Sequence, residues 1–411
     1  MTDPQERVRM VNHRAAALIL GDLRLTRENN GAAVVATIRS EDVVQELRYE
    51  VCGCLPSTDC EPFLPIALLV ALRLGIPLDA NAPVSPRLLR SLQTVQDIWH
   101  VWHGLARIAI RAESKPTVQA TGARGVGCFF SGGIDSFYTA LKHCDEITHL
   151  IFVWGFDVPL SRKVLRAEIA GRIRRATRDM GKQLIEVETN VRQISDKYWT
   201  WEDAHGAALA GVALLLSPLL RKVYIPSSST YALLQTLGSH PLLDPLWSTE
   251  HTEIVHDGCE ASRFEKLKKV VDCQAAMQSL RVCWKNSEDT YNCCRCAKCL
   301  QAMALLRALG ALERAATFDH SFDLRSMARE CTYTKTRVPQ KRFQPAMFSA
   351  LEHVERFGND PALAQALRDC VEWKYQRGVW KVLTLTTALR KRTGAMLHVL
   401  GKRLWPHADP L

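Results

Sequence analysis

Ser131-Gly132-Gly133-Ile134-Asp135-Ser136 is the stretch whose residue types and spacing point most directly to chemistry. It follows an apolar run, Gly125 to Phe130, and precedes a helical pattern, Phe137 to His143, so the spacing predicts strand, tight turn, helix. Two adjacent glycines let the backbone turn with positive φ and approach a bound group closely. The helix that follows offers free N–H groups and a positive dipole end, both of which favour an anion. Ser131 and Ser136 add hydroxyl donors. Asp135 is out of place in a plain anion cradle, and a metal-bound polyphosphate accounts for it. The expected guest is therefore a nucleotide phosphate with Mg²⁺, on Ser131, Gly132, Gly133, Asp135 and Ser136. No Gly-Lys-Ser/Thr follows, so this is not a Walker loop.

A second cluster is made of sulfur. Five of the fourteen cysteines lie between Cys283 and Cys299, spaced Cys283-x9-Cys293-x2-Cys296-x2-Cys299 with Cys294 wedged in. In a reducing compartment such a cluster argues for metal rather than disulfides. Cys283, Cys293, Cys296 and Cys299 supply four thiolates, which suit tetrahedral Zn²⁺ and leave no open position, so the site is expected to be structural. Thiolates also suit an iron–sulfur cluster, and ligand type does not separate the two. A Cys294-x-Cys296 pair with a different fourth ligand is the alternative set.

Between these clusters lie weaker candidates. Ser227 to Thr230 follows a strand-like run, and Gly238-Ser239-His240-Pro241 comes shortly after. Hydroxyls there either bind phosphate or substrate or cap helices. His240 could steer an activated acyl group as a catalytic residue. Arg263 and Lys266 could neutralise leaving pyrophosphate, or form a solvated helix face. Asp157 is a site-edge candidate, and His205 reads as a core histidine.

These residues need a scaffold. From residue 125 onwards strand and helix patterns alternate: strands at 125–130, 149–154, 183–188 and 222–226, helices at 136–143, 161–180 and 201–219. Such alternation implies an α/β fold with a parallel, doubly wound sheet, whose ligands bind at the carboxyl ends of the strands. Strand-like runs at 253–256 and 280–283 come next, with a helix near 262–272 between them and another at 297–309. We expect three regions: an α+β accessory domain at 1–118, a nucleotide domain at 119–310, and a basic, mostly helical region at 311–411. The 411 residues carry a net charge of +10, and residues 321–411 alone hold 16 Lys/Arg against 8 Asp/Glu. That tail would suit nucleic acid or an anionic membrane surface, or be an ordinary solvated helix. No apolar run approaches the ~20 residues needed to span a bilayer, and Met1 to Glu6 lack a signal-peptide pattern. The expectation is a cytoplasmic protein.

The Ser131–Ser136 stretch resembles the PP-loop, SGGxDS, of the ATP pyrophosphatase superfamily. The resemblance implies cleavage of ATP between the α- and β-phosphates and adenylation of a carbonyl or carboxylate oxygen. A PP-loop followed by C-x8-C-x2-C-x2-C resembles the 7-cyano-7-deazaguanine synthase family, which turns a carboxylate into an amide and then a nitrile using ATP and ammonia. That likeness covers about residues 122–310. It departs from the family in the extra regions 1–118 and 311–411, in one additional residue after Cys283, in Cys294 standing where the family usually has glycine, and in lacking recognisable deazaguanine-binding residues. The resemblance implies an AMP-forming ligase that adenylates a small, deazapurine-like or acidic substrate for attack by a nitrogen nucleophile, with Asp135 and Ser136 at the phosphates; Ser239, His240 and Arg263 are the substrate candidates by their own residue types and place in the chain. The alternatives are a nucleic-acid-modifying enzyme of the same superfamily and a non-catalytic nucleotide-binding protein. The accessory regions would cover the site, recruit a protein partner or pair two chains as a homodimer. Asp135→Ala is expected to abolish AMP formation while leaving the fold intact.

Overall fold

In the computed structural model, residues 17–28, 31–116, 125–285, 289–319, 322–332, 344–358 and 360–371 are described. Their strands are β1 (Leu18–Glu28), β2 (Gly31–Arg39), β3 (Val44–Cys52), β4 (Leu78–Ala80), β5 (Ile110–Arg111), β6 (Gly125–Phe129), β7 (His149–Trp154), β8 (Gln183–Thr189), β9 (Leu220–Pro226) and β10 (Glu253–Asp257). All ten form one sheet in the order β10-β9-β6-β7-β8-β3-β2-β1-β4-β5. The pairs from β10 to β8 are parallel. β7 is buried along nearly its whole length, as a strand covered on both faces must be. The β8–β3, β3–β2 and β2–β1 pairs are antiparallel. There the burial alternates, with Leu47, Tyr49 and Val51 inward and Glu46, Arg48 and Glu50 outward.

Helices cover both faces of the parallel part. On one face lie α3 (Ile134–Lys142), α4 (Lys163–Asp179), α7 (Arg263–Val270) and α8 (Gln274–Ser279), paired as α3 with α7 and α4 with α8. On the other lie α1 (Leu64–Leu74), α2 (Pro86–His103), α5 (Val191–Ser195) and α6 (Trp201–Leu215). Ser85 caps α2, its hydroxyl accepting from the Leu88 N–H at 3.0 Å with Pro86 next in line, which starts this helix well before the apolar run at Val95. After the sheet, α9 (Ala297–Ala308) carries Cys299, with Cys296 at its N-cap.

The expected boundary near residue 118 does not divide the sheet. Tyr49, Glu50 and Val51 of β3 pair with Thr189, Glu188 and Val187 of β8. One apolar core then runs from Leu18 and Leu64 through Trp99 to Leu214 and Ile254. The reason is α1: Leu64 to Leu72 are all buried, and a helix apolar all round needs cover on every side. The chain divides instead into two compact units, Met1–Phe322 and Asp323–Leu411. In the second, α12 (Pro361–Val371) packs on α10 (Leu324–Thr332) and α11 (Gln344–Phe357), with Cys370 Sγ 3.5 Å from Met327 Sδ. The basic stretch at 389–405 lies outside the described residues. Among the described residues no helix is long and apolar enough to cross a membrane.

Candidate functional site

Strand order places the site. Going outward from β6, one branch runs to β7 and β8 and the other to β9 and β10, so the order reverses between β6 and β9. Crevices at the carboxyl ends of strands open at such reversals. Ser131 to Ser136 leave β6 at that end, and Ser227 leaves β9 beside it.

The turn is built as its residues dictate. Gly132 has φ +76°, a conformation that calls for glycine; a Cβ there would meet only the movable tip of Ile173 closely, at 2.9 Å. Ser136 is buried and donates to the Gly133 carbonyl at 3.0 Å, which closes the turn; the hydroxyl expected to meet phosphate is used to shape the loop. Ser131 stays exposed, its Oγ 3.4 Å from the Gly133 N–H. No side chain caps α3, and the first N–H groups of a helix have no acceptor within it.

Asp135 does not stand open. Its Oδ1 accepts from Lys266 Nζ and its Oδ2 from Arg263 Nη2, both at 3.0 Å. Burial alone would raise its pKa, but the charges of Lys266 and Arg263 outweigh burial and hold it at about 2. Lys266 is 1 % exposed and also donates to the Ser227 carbonyl at 2.5 Å. Arg263 reaches Gln301 Oε1 at 3.2 Å, while its buried Nε has no acceptor among the described residues. The expectation that Asp135→Ala leaves the fold intact is therefore corrected: removing one member of a buried ion pair leaves an uncompensated charge, which costs about 3–5 kcal/mol.

Beside the turn opens a cleft of about 100 Å³, lined among others by Ser131, Gly133, Asp135, Arg263, Arg281 and Lys298. Asp157 and the half-exposed Trp284 complete its wall. Three cations against two carboxylates make it a place for an anion.

The cysteines form the next layer. The Sγ atoms of Cys283, Cys293, Cys296 and Cys299 lie within 4.8 Å of one another, and Cys293 and Cys299 are 3.9 Å apart. Tetrahedral zinc with Zn–S bonds of about 2.3 Å requires sulfurs about 3.8 Å apart, so the set fits a metal such as zinc. Hydrogen bonding to Cys283 first, then to Cys296, and then burial push the Cys299 thiol far up; a bound cation would relieve that crowding. Cys294 is not one of the four. It has φ +51° and its Sγ faces Asn292 O and the Asp319 N–H, a left-handed conformation that suits glycine.

The centre also holds the loop. Residues Leu280 to Cys283 do not form the expected strand. Arg281 N–H bonds the Gly132 carbonyl at 2.8 Å, and Val282 and Cys283 N–H bond Asn292 Oδ1 at 3.0 and 3.2 Å, so their donors never reach a neighbouring strand. Asn292 also donates to Leu280 O and Thr317 O. Cys283, the first of the four grouped cysteines, thus sits two residues from the backbone that clasps the glycine turn.

Ser239 and His240 do not line this cleft. A Cβ on Gly238 would meet Asp203 O at 1.8 Å, so the 238–240 segment lies directly on α6, on the face opposite α3. Ser239 donates to Asp244 at 2.7 Å, and His240 is buried with its ring 5.0 Å from Trp102. Burial, then neighbouring His256, lowers its pKa. His256 and Asp257 alternate across β10: His256 bonds Asp244 on that same face, whereas Asp257 reaches Thr139 and Lys142 of α3. Hydroxyl Ser227 is likewise engaged, with Ser229 and Cys259. Arg281, Trp284 and Lys298 were not singled out by sequence. Their signal is adjacency to ligands, because each lies within two residues of Cys283, Cys296 or Cys299.

No protein-family model, curated protein or solved structure matches the chain; its functional reading rests on its own geometry.

Proposed function

We propose that this chain is an AMP-forming, ATP-dependent ligase of the PP-loop type. One observation carries the reading: the SGGIDS turn lies at the reversal of strand order, against a cleft bearing Arg263, Arg281 and Lys298. The free N–H groups at the start of α3 and the glycine backbone suit a polyphosphate. Arg263, Arg281 and Lys298, which line the cleft, suit the charge that develops on leaving pyrophosphate. In the reaction, a carboxylate oxygen of the acceptor attacks the α-phosphorus, and the bond to the β-phosphate oxygen breaks to release pyrophosphate. A nitrogen nucleophile then attacks the activated carbonyl carbon, loses its proton, and AMP departs with the acceptor's oxygen. The protein's own part is to hold two reactants together and to stabilise charge. Half-exposed Trp284, beside the cleft, offers a face for a flat heterocycle. Zn²⁺ on the four thiolates would hold the 281–284 segment in place, since binding energy of such centres is folding energy. Asp135, with both oxygens engaged, does not fit the Mg²⁺ site expected of it, and no step is assigned to that ion.

The test is isotopic. An acceptor carboxylate labelled with heavy oxygen passes one label to AMP on turnover. AMP formed without label would mean that water attacks the nucleotide and that the acceptor is never adenylated.

A further inference from the structure

We propose that Asp135 is the counter-ion that, held by buried Lys266, positions Arg263 for the anion, and is not a ligand for a metal ion; this rests on the nucleotide-binding reading of the cleft. Three observations carry it. Each carboxylate oxygen already accepts from one cation at 3.0 Å. Lys266 is 1 % exposed, and an ammonium so deeply placed is tolerated only when paired. Arg263 is fixed from its other end by Gln301, itself buried on α9 beside the cysteine centre.

Donor counts give the chemistry. An ammonium has three N–H donors; Asp135 and the Ser227 carbonyl take two and the Tyr138 ring lies 5.8 Å from it, so Lys266 works from beneath the cleft by holding Asp135, while Arg263 lines the cleft itself. A dication on the remaining lone pairs of Asp135 would sit beside two cations already 3.0 Å from the carboxylate, a repulsion that a partly buried cleft screens far less than water does. Asp135 therefore acts through Arg263, which it aims while Lys266 holds it, and is a positioning residue.

A double-mutant cycle with Asp135→Asn and Lys266→Met on the full, metal-loaded chain tests this. The readouts are affinity for an ATP analogue with a non-cleavable α,β-methylene bridge, half-saturation by Mn²⁺ followed by electron paramagnetic resonance, and thermal stability. The expected result is that D135N weakens analogue binding roughly tenfold to a hundredfold with Lys266 present but less than about threefold in the K266M background. K266M is expected to restore most of the thermal stability lost to D135N, because the unpaired buried charge is gone. Half-saturation by Mn²⁺ is expected to shift by less than about twofold across the four proteins. The inference is overturned if D135N raises the Mn²⁺ requirement roughly tenfold or more in both backgrounds, as loss of a metal ligand would, or if its stability cost is the same with and without Lys266. A wild-type chain that binds no analogue counts against the proposed function, whereas the stability cycle still decides whether Asp135 and Lys266 are coupled.

Discussion

Asp135 keeps its charge because two cations hold it, and that has a measurable pH signature. Its pKa falls from the ordinary 3.8 to about 2 on folding, so the folded state binds its proton less tightly than the unfolded chain. The resulting stability, about 2 kcal/mol, is fully present above the unfolded value and is lost as pH falls from about 4 through 2. Urea titrations between about pH 5 and 2 should show this loss in the wild type and a flatter profile in Asp135→Asn, which starts from lower stability. A second prediction concerns Cys294. Its φ of +51° is a conformation that glycine adopts without strain, so Cys294→Gly should change stability by less than about 1 kcal/mol and leave the metal content of the purified protein unaltered by elemental analysis. At this scale the sequence is legible wherever the pattern is local: the paired glycines of the turn are adjacent, and the four grouped cysteines lie within one short stretch. The cations that hold Asp135 lie 128 and 131 positions away. Arg263 and Lys266 could be suspected by charge, but only the sheet brings them to the turn. His240 was misleading for the same reason, because its loop position said nothing of which face of the sheet it would reach.

At the scale of elements, the segment from Leu280 to Trp284 joins the four-cysteine cluster to the glycine turn. The thiolate of Cys283, the Arg281 backbone on Gly132 and the Trp284 ring beside the cleft belong to one short stretch. Asn292 fixes it with both ends of its amide. Asn292→Ala should therefore leave two N–H groups without their acceptor and cost about 2–4 kcal/mol, read by thermal unfolding. Cys296→Ser should release the metal and, because α9 begins at that residue, loosen Lys298 and Gln301 as well; nucleotide affinity and zinc content should fall together, and a chelator should reproduce both losses in the wild type. If zinc leaves and nucleotide binding is unchanged, the segment is not held by the metal. Leu280 to Cys283 had the apolar look of a strand because short buried runs look alike whatever they pair with. Strand β7 and helices α4 and α6 were readable to within a few residues, since their periodicity is sustained along the run.

For the whole molecule, the lesson concerns where a domain ends. A polar, Gly- and Pro-bearing stretch at 112–125 reads as a linker, yet the strands before it complete the sheet through the β3–β8 pairing. Composition marks where the chain is exposed, not whether two segments share a core, and Trp99 and Leu64 share theirs with Leu214 and Trp247. Deleting residues 1–116 should therefore give an insoluble or protease-sensitive product, not a smaller active ligase; a well-dispersed, cooperatively unfolding fragment would contradict the single core. The central claim is the bond that is broken in ATP. The most direct measurement follows α-labelled ATP in the presence of the metal-loaded chain, a panel of heterocyclic and acidic carboxylates, and ammonia. Labelled AMP with equimolar pyrophosphate is expected, formed only when an acceptor is present and lost in Asp135→Asn. Labelled ADP with inorganic phosphate would contradict it.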